Sequence, residues 1–353
     1  MSKRQRFLRP SRSDTRRLLA AAAAVGVLGC GAWLVVGLWG DLARAGTGAV
    51  QALWTVPAAV AIHLMQLLLS ALGWRVLVVG SPIGLAGFVR LRLMREGLNT
   101  LLPLAHVGGE VVAAQVMARA GIPAAVAVAG MVVDVTMEVC AQLAFLVAGC
   151  VVLAALAGAG EAWLWGGSLG LAALGAGGLA LAQHLGGLRL LEKVVRGIGR
   201  QWPALGPALL PSGGLDGLEA EALAIYRRRD RLAMAFCLQG VAWALGTAET
   251  WLVLHALGLN VSAGQAFVVE SLGMAARSAG FAVPGALAIQ EGGFVLAAAA
   301  VGLAGTAALS LSLIKRVREL VIGMAGLACW WLARHAGPGR VGTAAPGRNA
   351  PPL

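Results

Sequence analysis

The sequence predicts an all-α polytopic membrane protein, with about six full spans and two re-entrant hairpins of broken helix arranged as an inverted repeat. Three observations predict it. Of 353 residues, 59% are hydrophobic and 12% charged, and the mean hydropathy is +0.80; soluble domains carry about a quarter charged residues. The apolar residues come in long runs, not in the alternation of a barrel strand, so the spans are helical. Two of the apolar stretches each hold a proline followed seven residues later by a glutamate: Pro103 with Glu110, and Pro284 with Glu291. Proline breaks a helix and a carboxylate is costly in lipid, so each pairing marks a functional site.

The rest of the composition agrees. Fifty glycines suit closely packed membrane helices. The formal net charge of +12 sits between apolar runs, where it sets topology and meets anionic lipid headgroups, so no nucleic-acid partner is expected. The five cysteines fall inside apolar runs without a C-x-x-C pattern, which argues for packing and against a disulfide framework or a metal site. No P-loop, dinucleotide fingerprint, hydrolase elbow or H-E-x-x-H occurs, and no cofactor or metal is expected.

Residues 1–17 form a basic tail that stays in the cytoplasm, ahead of a single transmembrane domain over 18–333. Span 18–39 runs outward, residues 40–49 make an outer loop, and span 50–74 returns with His63 and Gln66 inside it. Arg75, Arg90, Arg92 and Arg95 mark an inner boundary after an elbow at 80–84. Glu96 to Ala118 is too broken for one crossing and reads as a hairpin that turns near Pro103. A long helix over 122–157 carries Asp134, Glu138 and Gln142 on one face. Span 162–184 returns to an inner polar segment at 185–231. Its Leu188, Leu191, Val195 and Ile198 lie opposite Arg189, Lys193, Arg196 and Arg200, an amphipathic surface helix. Span 232–257 holds Glu249 and His255, an outer turn covers 259–264, and the second broken stretch covers 265–303. The last apolar segment, 304–333, contains Lys315, Arg316, Arg318 and Glu319, and a basic, disordered cytoplasmic tail covers 334–353.

The two halves share intervals. Glu110 to Glu138 is 28 residues, as is Glu291 to Glu319, and Asp134 in one half stands where Lys315 stands in the other. Units 50–157 and 232–333 therefore read as a repeat in opposite orientation, a recurring transporter design. Opposite charges at matching positions are expected to pair between the halves.

Arg95–Glu110 (R-E-G-L-N-T-L-L-P-L-A-H-V-G-G-E) and Phe281–Gly292 (F-A-V-P-G-A-L-A-I-Q-E-G), with Asp134 following Gly121-Ile122-Pro123, resemble the transmembrane region of the lysylphosphatidylglycerol synthase family, often called flippase-like. The resemblance covers roughly 15–335 and looks closest to the hopanoid-biosynthesis-associated branch. It implies a membrane-embedded lipid handler; the span count and the basic flanks place both termini in the cytoplasm, as expected for a bacterial inner-membrane protein. The family's aminoacyl-transferase domain has no counterpart here, so lipid aminoacylation is not expected.

The candidate translocation path comprises Glu96, Asn99, Pro103, His106, Glu110, Asp134, Glu138, Glu270, Arg277, Pro284, Gln290, Glu291, Lys315, Arg318 and Glu319. Each polar group also has a structural reading: Glu110 and Glu291 as hairpin braces, Asn99 as a local backbone partner, and Arg277 as an ion-pair partner or a ligand for an anionic phosphate. His63, His106 and His255 read as packed histidines, with His106 singled out by its place in the first break. A lipid transporter with a polar cavity near the midplane is the leading expectation, with either proton coupling through Glu110 or Glu291 or unpowered scrambling as its driving mode. Pro103 with Glu110 and Pro284 with Glu291 are expected to meet around that cavity. The alternative is an enzyme or non-transporting partner of lipid or hopanoid synthesis. The expected partners are membrane lipids and lipid-biosynthesis enzymes.

Overall fold

The computed structural model describes residues 39–101, 108–157, 214–279 and 287–335. These residues are mostly helical, joined by short turns, with no strand among them. The helices are α1 (Trp39–Ala52), α2 (Val56–Leu77), α3 (Leu85–Leu101), α4 (Gly108–Arg119) and α5 (Ala124–Ala157), then α6 (Gly214–Tyr226), α7 (Arg229–Ala256), α8 (Ala263–Ala279), α9 (Leu287–Ala300) and α10 (Gly305–His335). Among the described residues, three stretches are long and apolar enough to cross a membrane: Ala45–Leu77, Ala124–Leu156 and Arg229–Ala256. The predicted span 18–39, apart from Trp39 at the start of α1, the span 162–184, the surface helix at 188–200 and the break residues Pro103, His106 and Pro284 lie outside the described residues.

The surface is inverted relative to a soluble protein. Leu296, Met324, Trp54 and Val151 stand more than half exposed, while Lys315, Glu249, Asp134 and Arg92 are buried. Charges inside and large apolar side chains outside suit a lipid solvent.

The predicted outer loop at 40–49 is instead helix α1. Its Gly and polar content reads as a loop, but Ala45, Ala49 and Ala52 are buried at helical spacing. Ser310 of α10 donates a hydrogen bond to the Ala45 carbonyl at 3.0 Å. A short 3₁₀ turn, Leu53–Thr55, joins α1 to α2 just before Pro57, where a helix start tolerates proline. The predicted inner boundary also changes. Arg90, Arg92 and Arg95 all belong to α3, and Arg92 is 4% exposed, so it faces the protein and not a headgroup layer. The inner segment contains helix α6, which buries Leu218, Ala222 and Ile225 against Leu77, Val133 and Ala235.

The helix junctions match between the halves. Gly121 (φ 92°) ends α4 and Gly302 (φ 75°) ends α9. At the first, Ile122 N donates to Met117 O and Gly121 N to Ala118 O; at the second, Leu303 N donates to Ala298 O and Gly302 N to Ala299 O. Both are Schellman closures that place glycine where a Cβ would be strained. Gly80 (φ 70°) and Gly258 (φ 80°) stand likewise in the α2–α3 and α7–α8 turns. Helix α8 starts with a capping box, in which Gln265 N donates to Ser262 Oγ and Ser262 N to Gln265 Oε1.

Packing follows the same correspondence. Helix α4 returns along α3 and α9 along α8; α3 crosses onto α10 and α8 onto α5; α2 and α7 pack on each other at the centre. Small residues allow the crossings. A Cβ on Gly97 would lie 2.6 Å from Gly323 O and 2.7 Å from Leu327 N, so α3 and α10 touch backbone to backbone. Trp74, Phe88 and Met117 centre the first apolar core, and Phe294, Leu311 and Ile314 the second.

Candidate functional site

Between the two cores runs a polar layer built of two ionic clusters. In the first, Asp134 and Glu138 sit one turn apart on α5 and face Arg92 and Arg95 on α3. Arg92 Nη2 lies 2.8 and 2.7 Å from the two Asp134 oxygens, and its Nη1 is 3.1 Å from Glu138 Oε2. Arg95 Nη2 is 2.7 Å from Glu138 and Nη1 is 3.2 Å from Asp134. Its Nε reaches Glu110 of α4 at 2.8 Å. Asn99 donates to Glu110 at 3.1 Å and accepts from Gly109 N at 2.9 Å, so one amide ties α3 to the start of α4. Gln239 of α7 donates to Asp134 at 3.3 Å and accepts from Ser70 of α2 at 2.6 Å. The face of Trp74 covers Arg92, 5.5 Å from ring centre to guanidinium carbon.

In the second cluster the signs are exchanged. Its innermost acids come from α7 (Glu249) and α8 (Glu270) and face Lys315 and Arg318 of α10. Arg277 of α8, Glu291 of α9 and Arg316 and Glu319 of α10 complete it. Lys315 Nζ is 2.9 Å from Glu270 Oε2 and 3.6 Å from Glu249 Oε2. Thr250 donates to Glu270 at 2.5 Å. Arg318 pairs closely with Glu249, and Arg277 of α8 pairs closely with Glu319 of α10. Arg316 spans Glu319 (3.3 Å), Gln290 (2.9 Å) and Glu291 (3.5 Å). A lone charge at mid-bilayer costs about 2.5–3.5 kcal/mol even on insertion scales, so near-complete pairing is what lets these helices sit in an apolar medium.

A cavity of about 220 Å³ opens between the clusters. Helix α2 contributes His63, Gln66 and Ser70; α3 contributes Arg92, Arg95 and Glu96; α5 contributes Glu138; α7 contributes Gln239 and Trp243. Glu270, Met274, Arg277 and Ser278 of α8 and Arg318 of α10 close the other side. The wall is thus zwitterionic. The partial exposure of Glu96 (30%), Glu138 (29%) and Arg277 (27%) shows that it opens outward.

The structure redistributes the residues expected to act together. Glu96, Glu138, Glu270, Arg277 and Arg318 line the cavity. Asp134, Lys315 and Glu319 sit in the layer behind it, and Glu110 and Glu291 are braces held by Arg95 and Arg316. Neither Glu110 nor Glu291 is among the described residues that line this cavity, and Pro103 and Pro284, expected to meet there with them, lie outside the described residues. The expectation that Asp134 and Glu138 pair with Lys315 and Arg318 across the halves is corrected. Each acidic or basic pair closes within its own half, because α3 brings its own arginines to α5, and α7 and α8 bring carboxylates to α10. Residues not on the predicted path also belong here: Arg92, Arg95, His63, Gln66, Gln239, Glu249 and Arg316. Arg92 and Arg95, one turn apart, complement Asp134 and Glu138, one turn apart, and that reciprocal spacing was the available signal. Among the described residues no group of His, Cys, Asp and Glu is arranged to hold a metal ion. Cys140, Cys150, Cys237 and Cys329 are free thiols.

An all-helical bundle with lipid-facing apolar sides and a buried ionic cavity defines the class: a multi-pass membrane protein with a polar interior site. The family profile of the lysylphosphatidylglycerol synthase TM region matches residues 18–326, nearly the whole chain, and the protein belongs to that family. It is accordingly a membrane protein of lipid metabolism or transport. Neither a comparison with curated proteins nor one with solved structures finds a match.

Proposed function

We propose that this protein moves a lipid, of phospholipid or hopanoid type, across the bacterial inner membrane by taking its headgroup into the cavity between α2, α3, α5, α7, α8 and α10. The observation that carries this reading is the cavity wall itself. Arginines and carboxylates alternate around a space of about 220 Å³ inside an apolar bundle, where a polar headgroup finds partners of both signs while its tails stay in bilayer. Family membership supports a lipid as the cargo.

The two halves, 50–157 and 232–333, act as an inverted repeat in this reading. The matched Schellman turns at Gly121 and Gly302 and the exchanged crossings of α3 on α10 and α8 on α5 support it. The broken stretches around Pro103 and Pro284 are then re-entrant from opposite faces, and both termini are cytoplasmic, with the basic segments against anionic headgroups. Alternating exposure follows from rocking one half against the other about the central α2–α7 contact.

The test is reconstitution of the full chain in vesicles of phosphatidylethanolamine and phosphatidylglycerol with a trace of headgroup-labelled fluorescent phosphatidylethanolamine or phosphatidylglycerol. Accelerated loss of inner-leaflet signal to a membrane-impermeant quencher is expected for at least one label. A Ser278→Trp variant, which fills the cavity from its exposed rim, is expected to abolish it. Unchanged leaflet distribution with both labels, and with a labelled hopanoid, overturns transport. That result favours a non-transporting partner of lipid biosynthesis.

A further inference from the structure

His63 stands on α2 at the cavity wall with its Nδ1 2.8 Å from Gln66 Oε1. Gln66 Nε2 donates to the Ala242 carbonyl at 2.8 Å. A carbonyl oxygen only accepts, so the Gln66 amide must turn its NH₂ toward Ala242 and its oxygen toward His63. That oxygen also only accepts. Nδ1 therefore carries the hydrogen, and Nε2 is the lone-pair nitrogen of the neutral ring. Nε2 is buried without a hydrogen-bond partner and lies 3.7 Å from Glu96 Oε1.

Glu96 has the complementary need. It lines the cavity, and among the described residues no arginine or lysine lies within ion-pair distance of it. The other charged groups facing this pair are already matched. From α3, Arg92 and Arg95 hold Asp134 and Glu138 of α5. Glu249 of α7 holds Arg318 of α10, Glu270 of α8 holds Lys315, and Arg277 of α8 holds Glu319. Glu110 and Glu291, the glutamates after the prolines, are braced by Arg95 and Arg316. One proton on Nε2 answers both unmet needs at once. It turns a stranded acceptor into a charged donor aimed at the Glu96 carboxylate, which otherwise feels only the more distant charges of Arg277 and Arg318 across the cavity.

We propose that His63 and Glu96 form a proton-binding site on the cavity wall, distinct from the ion pairs that hold the helices. A proton taken up from cavity water by the part-exposed Glu96 carboxylate passes to the buried Nε2 lone pair, giving an imidazolium beside a carboxylate. Release returns it to the same water. Gln66 is the positioning residue that keeps Nε2, and not Nδ1, on the cavity side. Coupling of this site to lipid movement rests on the function proposed above, whereas proton binding does not.

Nitrogen NMR of the full chain, labelled with ¹⁵N-histidine and held in phosphatidylcholine–phosphatidylglycerol nanodiscs, reads the site directly, with His63→Gln identifying the signal. His63 is expected as the Nδ1–H tautomer in its neutral form, with the second proton added on Nε2 as the pH is lowered. In Glu96→Gln the proton affinity of His63 is expected to fall about tenfold, and Gln66→Leu is expected to admit the Nε2–H tautomer. Glu96→Asp, which keeps the charge, is expected to retain most of the affinity and separates a charge effect from misfolding. An Nε2–H tautomer in the unaltered chain, or an unchanged midpoint in Glu96→Gln, overturns the site. A titrating His63 in a protein that moves no lipid supports the site and counts only against transport.

Discussion

Lys315 and Glu270 form a fully buried ion pair, Nζ to Oε2 2.9 Å, joining the middle of α10 to the middle of α8. Glu270 also accepts from Thr250, and Gly246 leaves room for its carboxylate, since a Cβ there would overlap it. Such a pair is weak evidence for stability, but a half-broken one is strongly destabilising. Lys315→Met is therefore expected to cost about 3–5 kcal/mol. The double variant Lys315→Met with Glu270→Gln should recover much of that loss, because neither charge is then stranded. Thermal unfolding in detergent, followed by tryptophan fluorescence, checks both.

Arg95 meets Glu110, Asp134 and Glu138 with three different nitrogens. A lysine ammonium cannot hold that planar fork, so Arg95→Lys is not conservative here. We expect a loss of about 2–3 kcal/mol. Hydrogen exchange should show the loss first at the N-terminal turn of α4, where Glu110 and Gly109 are tethered. Equal protection of α4 in both chains would contradict this.

Gly97 and Gly326 set the distance between α3 and α10. A Cβ on Gly97 would press on the backbone of Gly323 and Leu327, and one on Gly326 on the carbonyl of Leu93. Backbone cannot step aside as a side-chain tip can. Gly97→Ala is expected to cost about 1–3 kcal/mol by overpacking. Gly240→Ala, where a Cβ meets nothing within 4 Å, should be near neutral or better as an internal control.

Gly121 and Gly302 test the conformational argument in isolation. Both have positive φ, and a Cβ on either meets nothing within 4 Å. Alanine at each is expected to cost about 1–2 kcal/mol through backbone strain alone. The two losses should agree closely, since the turns share one hydrogen-bond pattern. Paired melting curves of the two variants measure this, and a large difference would count against the equivalence of the halves.

How far the sequence could be read varies by element. Helices α5 and α10 were legible within a few residues from their apolar runs and their flanking Gly or Pro turns. Helices α3, α4, α8 and α9 end or begin a few residues from Pro103 and Pro284, which themselves lie outside the described residues. Helix α1 was missed, because small residues that bury well against α10 look, as a string, like a glycine-rich loop. Arg92 was misplaced for a related reason. An arginine near a span end is normally a topology marker, and only the aspartate 42 residues later makes it an interior group.

By itself the sequence determined that the chain is helical and lives in a membrane, because hydrophobicity, run length and the scarcity of charge are local properties set by the solvent the chain must meet. It also determined that the few charges inside would be paired, since lipid leaves no cheap alternative. Only the tertiary structure decided who pairs with whom. Partner choice depends on which helices cross, and α3 on α10 and α8 on α5 is a fact of packing, not of spacing. The same crossings left His63 and Glu96 facing each other across the cavity wall while the neighbouring acids and bases closed their own pairs.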